Sequence, residues 1–122
     1  MHGRPLTGST SDQETNLAGV SIAVALEDLD DKLAEYSWCY LVTTGEERPH
    51  LLAVKPSKTK TGWRCETGHS SRANVVRNPL VVLMFPPSQP DGMSLIVDGE
   101  AEVNGDGVVV TPTWAVLHRS AV

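Results

Sequence analysis

From Met93 to Asn104 the chain alternates. Met93, Leu95, Val97, Gly99, Ala101 and Val103 fall on one side, and Ser94, Ile96, Asp98, Glu100 and Glu102 on the other. A period of two over this length predicts a long, half-buried antiparallel strand. Asn104-Gly105-Asp106-Gly107 follows, a strong hairpin turn. Val108 to Thr111 then returns, and Trp114 to His118 reads as one last strand. Upstream, Trp38 to Thr44 and His50 to Val54 form a hairpin around Gly45 and Pro49, and Trp63 to Thr67 is a third strand. Leu80 to Phe85 is apolar on both faces, as a central strand is. The polar stretch from Lys55 to Gly62 reads as a connection. Many short strands with turn signals predict a barrel or a sandwich.

Helical signals are few. Ile22, Leu26, Leu29, Leu33 and Tyr36 make one apolar stripe, which predicts a covering helix from Ser21 to Tyr36. Ser70 or Ser71 is a suitable N-cap for a short helix from Arg72 to Arg77, stopped by Asn78-Pro79. Residues 1–19 are rich in Gly, Ser and Thr without a hydrophobic period and read as a mobile tail. Residues 20–122 then make a single domain, in keeping with a length of 122 residues. No apolar run approaches the roughly 18 residues of a membrane span. The first residues lack the apolar stretch of a secretory signal. Cys39 and Cys65 are too few for a disulfide framework and read as reduced core thiols of a cytoplasmic protein.

Charge is unevenly placed. The net charge is −5, yet the 48–77 stretch holds seven basic residues (Arg48, Lys55, Lys58, Lys60, Arg64, Arg72 and Arg77) against one acidic, Glu66. An acidic chain with one basic segment points to a local anionic ligand rather than to bulk nucleic acid. A solvated basic face is the plainer alternative. Within that segment a strand ending Glu66-Thr67-Gly68 runs into Ser70-Ser71-Arg72 at a helix start. Backbone N–H groups there attract a phosphate, and hydroxyls and a guanidinium add charge-assisted bonds. An ordinary capped helix with an exposed arginine would carry the same residues. His2, His50, His69 and His118 have no metal-ligand spacing with one another or with the cysteines, so no metal is expected. No base stands near either cysteine in sequence to make it a nucleophile.

The order of motifs resembles the split-barrel flavin-binding family related to pyridoxamine 5′-phosphate oxidase. The matching residues are Arg48-Pro49-His50, Thr67, Ser71-Arg72, Asn74, Asn78-Pro79 and Asp98-Gly99-Glu100-Ala101, within a region from Trp38 to Val103. The resemblance implies a mainly β fold, a split β-barrel with an N-terminal helix and one short internal helix. It also implies a homodimer with FMN, or a deazaflavin coenzyme, at the subunit interface. Carried over by position, Ser71 and Arg72, with Ser70 beside them, would hold the phosphate. Thr67 and Gly68 would line its approach, and Lys55, Ser57 and Lys58 would face the phosphate or the ring. Asn74 would tie the helix to the barrel. Ala73 stands where the family often has lysine, and only the Asn104–Gly107 turn stands where many members have a helix. The function implied is a flavin- or deazaflavin-dependent oxidoreductase acting on a small molecule, with no catalytic side chain identified. The alternative is a non-enzymatic binding protein for flavin or another anionic cofactor on the same barrel. Neither a nucleic-acid nor a membrane partner is expected.

Overall fold

The computed structural model describes residues 21–119. The reading of 1–19 as a tail lies outside them. The elements are β1 (Ser21–Ala23), a 3-10 turn (Leu26–Asp28), α1 (Leu29–Leu33), β2 (Cys39–Thr44), β3 (Pro49–Val54) and β4 (Ser57–Lys58). They continue with β5 (Trp63–Glu66), α2 (His69–Arg77), β6 (Leu80–Phe85), β7 (Met93–Asn104) and β8 (Gly107–Arg119). All strands join one sheet in the order β3-β2-β6-β7-β8-β5-β4, with β1 also on β8. Every pairing is antiparallel. The sheet curls as a split barrel, as the motif order implied.

β7 and β8 form its spine, paired from Met93↔Arg119 to Asn104↔Gly107. The far edge of β8 is shared: β5 takes residues 107–110 and β1 takes residues 116–118. Inside, the register aligns Leu52, Leu41, Leu83, Val97 and Ala115 in one row across five strands. Leu41, Leu83, Val97 and Ala115 are buried, and Leu29 and Leu33 of α1 and Val75 of α2 join the same core. Each buried leucine or valine side chain contributes about 1.5–3 kcal/mol by leaving water. The central position of β6, between β2 and β7, matches its two-sided apolar pattern.

Three elements differ from the sequence reading. The expected helix from Ser21 to Tyr36 is instead a strand, a 3-10 turn and a five-residue helix. Ile22 is 51% exposed on β1, and only Leu29 and Leu33 of the stripe are fully buried. The edge of β8 at residues 116–118 captured Ser21–Ala23, and ladder bonds outweighed a weak local helix preference. The connection from Lys55 to Gly62 contains the short strand β4, closed by Thr59 Oγ1, which donates to the Gly62 carbonyl at 2.9 Å. The two expected C-terminal strands are one, β8. Its register shifts opposite Asp98 and Gly99, so Thr113 is an extra residue beside Pro112. A bulge accommodates a proline that could not donate a ladder bond.

Candidate functional site

β5 feeds α2 through Thr67 and Gly68. The N-cap of α2 is Gly68, in extended conformation with no side-chain capping bond, not Ser70 or Ser71 as expected. The helix therefore starts at His69, and both serines lie in its first turn. The first turn leaves N–H groups without helical partners, and no side chain caps them here. A Cβ placed on Gly68 would meet nothing within 4 Å, so the approach to those groups is open. Thr67 Oγ1 is buried and has no hydrogen-bond partner among the described residues.

The two members of Ser71-Arg72 face different ways. Ser71 is buried, with its Oγ 3.5 Å from His50 Nδ1 on β3. Ser70 is exposed. Arg72 is half-buried, and its Nη1 donates to the carbonyls of Thr67 at 2.7 Å and Asp106 at 2.8 Å. Thr67 N also donates to the Asp106 carbonyl, at 3.2 Å. The strand–helix junction is thus stapled to the β7–β8 turn. On the other side of that turn, Arg64 Nε donates to Asn104 Oδ1 and its Nη2 to the Asn104 carbonyl, both at 3.1 Å. Its Nη1 donates to Glu66 Oε2 at 2.6 Å. Gly105 has φ 57°, the left-handed conformation that a glycine takes in a two-residue hairpin. A Cβ on Gly107 would run into the Cys65 carbonyl, so the close approach of turn and β5 requires glycine there.

Beneath α2, Asn74 Nδ2 donates to Thr43 Oγ1 of β2 at 3.0 Å, and both residues are buried. Arg77 Nη2 donates to Asn74 Oδ1 at 2.8 Å. Asn74 thus ties the helix to the barrel. His50, Thr43 and the Asp106 carbonyl complete this surrounding. His50 belongs to the Arg48-Pro49-His50 motif, but nothing in the sequence marks Thr43 or a backbone oxygen.

The expected residues fall into two groups. Thr67, Gly68, Ser70, Ser71 and Arg72 lie together at the α2 end of β5. Ser57 pairs with Arg64 and Lys58 with Trp63, so Lys58 lies at the opposite end. From Trp63 to Thr67 is about 13 Å at roughly 3.3 Å per residue. Lys58 Nζ is 3.5 Å from Asp30 Oδ1 and 5.3 Å from the Trp63 ring centroid. Lys55 is exposed just after β3.

Both cysteines are free and buried. Burial pushes the Cys65 thiol up to about 11 and the Cys39 thiol higher still. Such thiols are protonated and unreactive at neutral pH. Among the described residues no three His, Cys, Asp or Glu side chains are grouped as a metal ion would need. No helix among them is long and apolar enough to cross a membrane.

No protein-family profile matches the sequence. Among solved structures, the fold is similar to the FAD binding protein from Mycobacterium smegmatis. The TM-score is 0.60 at 19% identity, over 82% of this chain and 98% of that one. It is also similar to an FAD-binding protein from Mesorhizobium loti, with a TM-score of 0.62 at 11% identity over 84% and 99% of the two chains. At these identities the likeness is one of fold. The sequence is 34% identical over 116 residues to the uncharacterized protein Mb0449c of Mycobacterium bovis, covering 80% of this chain and 82% of that one. The uncharacterized protein MT0457 of Mycobacterium tuberculosis matches to the same extent. This split-barrel chain therefore belongs to the same protein family as Mb0449c and MT0457.

Proposed function

We propose that the protein binds the phosphate of a flavin at the β5–α2 junction, as a homodimer of the pyridoxamine 5′-phosphate oxidase-like type. The observation that carries this is the buried Thr67 Oγ1, unpartnered among the described residues, beside an open, glycine-capped helix start. A buried hydroxyl without a partner is costly, and an anion oxygen at that position would accept its proton. The backbone N–H groups of the first turn and the exposed Ser70 hydroxyl add donors. Arg72 reaches the same place already fixed by two carbonyls, so little side-chain freedom is lost when it meets a phosphate. Ser71, turned inward to His50, would act through its backbone N–H. Lys55 and Ser57 remain candidates for the rim, and Lys58 would have to leave Asp30.

The similar M. smegmatis and M. loti structures are those of FAD-binding proteins, which adds FAD to FMN and the deazaflavin coenzyme as candidates. When bound, a flavin supplies hydride transfer through its own ring, so no protein acid or base need be present. The chain's part is to hold the phosphate and shield the ring. Reduced buried thiols suit a cytoplasmic setting.

The outer face of the sheet supports the dimer. In register across five strands lie Ala53, Tyr40, Met84, Ile96 and Val116, and beside them Leu51, Val42 and Val82. Leu51 and Leu80 on this face are 56% and 60% exposed. The measurement is a fluorescence titration of the full chain with FAD, FMN and the deazaflavin coenzyme, beside Arg72→Ala. Saturable binding of one of them, weakened at least about tenfold in the variant, is expected. Binding of none at micromolar concentration overturns the reading. Bound cofactor that a nicotinamide donor cannot reduce would leave the non-enzymatic binding protein as the function, a reading that the tight β7–β8 turn, with no helix to wall a substrate, also fits.

A further inference from the structure

The kind of phosphate that suits the β5–α2 junction follows from the charges around it. Arg72 brings a full positive charge, because the Thr67 and Asp106 oxygens to which its Nη1 donates are neutral carbonyls. Its basic neighbours bring less. Arg64 Nη1 donates to the Glu66 carboxylate at 2.6 Å, so that pair is neutral as a unit. Arg77, the last residue of α2, is bonded to Asn74 and lies about 7.5 Å along the helix from Arg72. Arg48 shares the exposed β2–β3 turn with Glu46 and Glu47. Lys55 is five residues beyond His50, about 16 Å along β3. Lys58 is paired with Asp30 at the other end of β5. Against Arg72 stands Asp106, whose carbonyl is a partner of that guanidinium, which keeps its exposed carboxylate close by.

One uncompensated cation beside a carboxylate does not neutralise a phosphate of two charges. The cost of taking an ion out of water rises with the square of its charge, so the second charge weighs most. Shape agrees with charge. A Cβ on Gly68 would meet nothing within 4 Å, and Ser70 is exposed. A phosphate that accepts from the buried Thr67 Oγ1 therefore keeps open space on its other side, where a second substituent has room to leave.

Resting on the reading of this junction as a flavin phosphate site, we propose that it selects a flavin whose 5′-phosphate carries a second substituent, and with it a single negative charge, over one that ends in a free phosphate. FAD and the deazaflavin coenzyme are of the first kind, and FMN is of the second.

The test is a fluorescence titration of the full chain at low salt with FMN and with its phosphate methyl ester. The two share ring, ribityl chain and phosphorus and differ by one charge. At pH 7.5 the ester is expected to bind at least about fivefold more tightly. At pH 5.5 the gap should close to under about twofold, because a phosphomonoester takes up its second proton near pH 6. Both probes then carry mostly one charge, so whatever His50 and His69 do there is common to both. Asp106→Asn removes a carboxylate and keeps the carbonyl, and should improve FMN at least about threefold more than the ester. Glu66→Gln, at a 77% exposed side chain, frees the charge of Arg64 and should act in the same direction should Asp106→Asn fold poorly. FAD and the deazaflavin coenzyme, run beside these, identify the substituent by which binds more tightly. FMN binding as tightly as the ester at pH 7.5 overturns the proposal, as does a gap that persists at pH 5.5. Both larger coenzymes binding more weakly than FMN overturns it too. In each of these cases a loss on Arg72→Ala leaves the phosphate site itself standing. Binding of neither probe, or binding unmoved by Arg72→Ala, removes the phosphate site and this selectivity with it.

Discussion

The Thr67 hydroxyl and the Cys39 and Cys65 thiols are all buried, with different consequences for stability. The Thr67 hydroxyl is buried without a hydrogen-bond partner among the described residues, so removing it takes no hydrogen bond from them. Thr67→Val is expected to keep or slightly raise the melting temperature while weakening flavin about 2–10-fold, the worth of one hydrogen bond. A matching loss in both would mean that the hydroxyl serves the fold. Arg72→Ala differs, because it also removes two hydrogen bonds, to the Thr67 and Asp106 carbonyls, and its melting temperature should fall along with affinity. The thiols give a pH prediction. Burial raises Cys65 from 9.0 to about 11 and Cys39 further in the same direction. Between the unfolded and folded values the unfolded chain has lost protons that the folded chain keeps. Stability is therefore full below about pH 8.5 and falls as pH rises above it. Urea midpoints measured from pH 7.5 to 10.5 should fall, and Cys65→Ala should flatten that slope despite a lower midpoint at pH 7.5. Iodoacetamide should label both thiols only in denaturant.

α2 is seated by polar contacts rather than by a broad apolar face. Of its buried residues, Ser71 and Asn74 are polar and Val75 alone is apolar. Asn74→Ala leaves Thr43 Oγ1 unsatisfied in the core and should cost about 1–3 kcal/mol. Thr43→Val alone leaves the Asn74 amide short of a partner. The double variant should recover part of the sum, with a coupling of about 0.5–3 kcal/mol in denaturant melts. Additive losses would mean that the helix is held elsewhere. These contacts also mark where sequence stops being legible. The period-two pattern of β7, the Asn-Gly-Asp-Gly turn and the two-sided apolar run of β6 are local signals, and each has its element in the structure. The stripe from Ile22 to Tyr36 was equally local and yielded three elements, because the open edge of β8 competes for Ser21–Ala23 only once the sheet exists. In the same way Ser70 and Ser71 looked like caps, yet Gly68 takes that position while Ser71 turns inward to a histidine 21 residues away. The Asp106 carbonyl, which fixes Arg72, has no sequence signature, since every residue has one.

For the whole molecule, the uneven surface is the property with consequences. The inner face of the sheet is closed by α1, α2 and the core, while the outer face keeps tyrosine, methionine, valine, leucine and isoleucine in adjacent rows. Monomeric proteins rarely show contiguous apolar patches beyond a few hundred Å². A stable pairing buries about 800 Å² on each partner, which a face five strands wide can supply. The same patch on both copies would meet about a two-fold axis, as most homodimers do. Leu80 tests this without disturbing the core, because its side chain is 60% exposed in the protomer. Leu80→Asp should change protomer stability by less than about 1 kcal/mol. Across an apolar interface it would bury an unpaired charge in each copy, a penalty of several kcal/mol that no pairing of this size tolerates easily. Sedimentation velocity at about 10 μM, where a Kd near 1 μM already gives mostly dimer, is expected to show dimer for the wild-type chain and monomer for the variant. A wild-type chain that sediments as a monomer would remove the dimer and, with it, any cofactor site that needs a second copy. The β5–α2 junction would keep its donors in either case, since every one of them comes from a single chain.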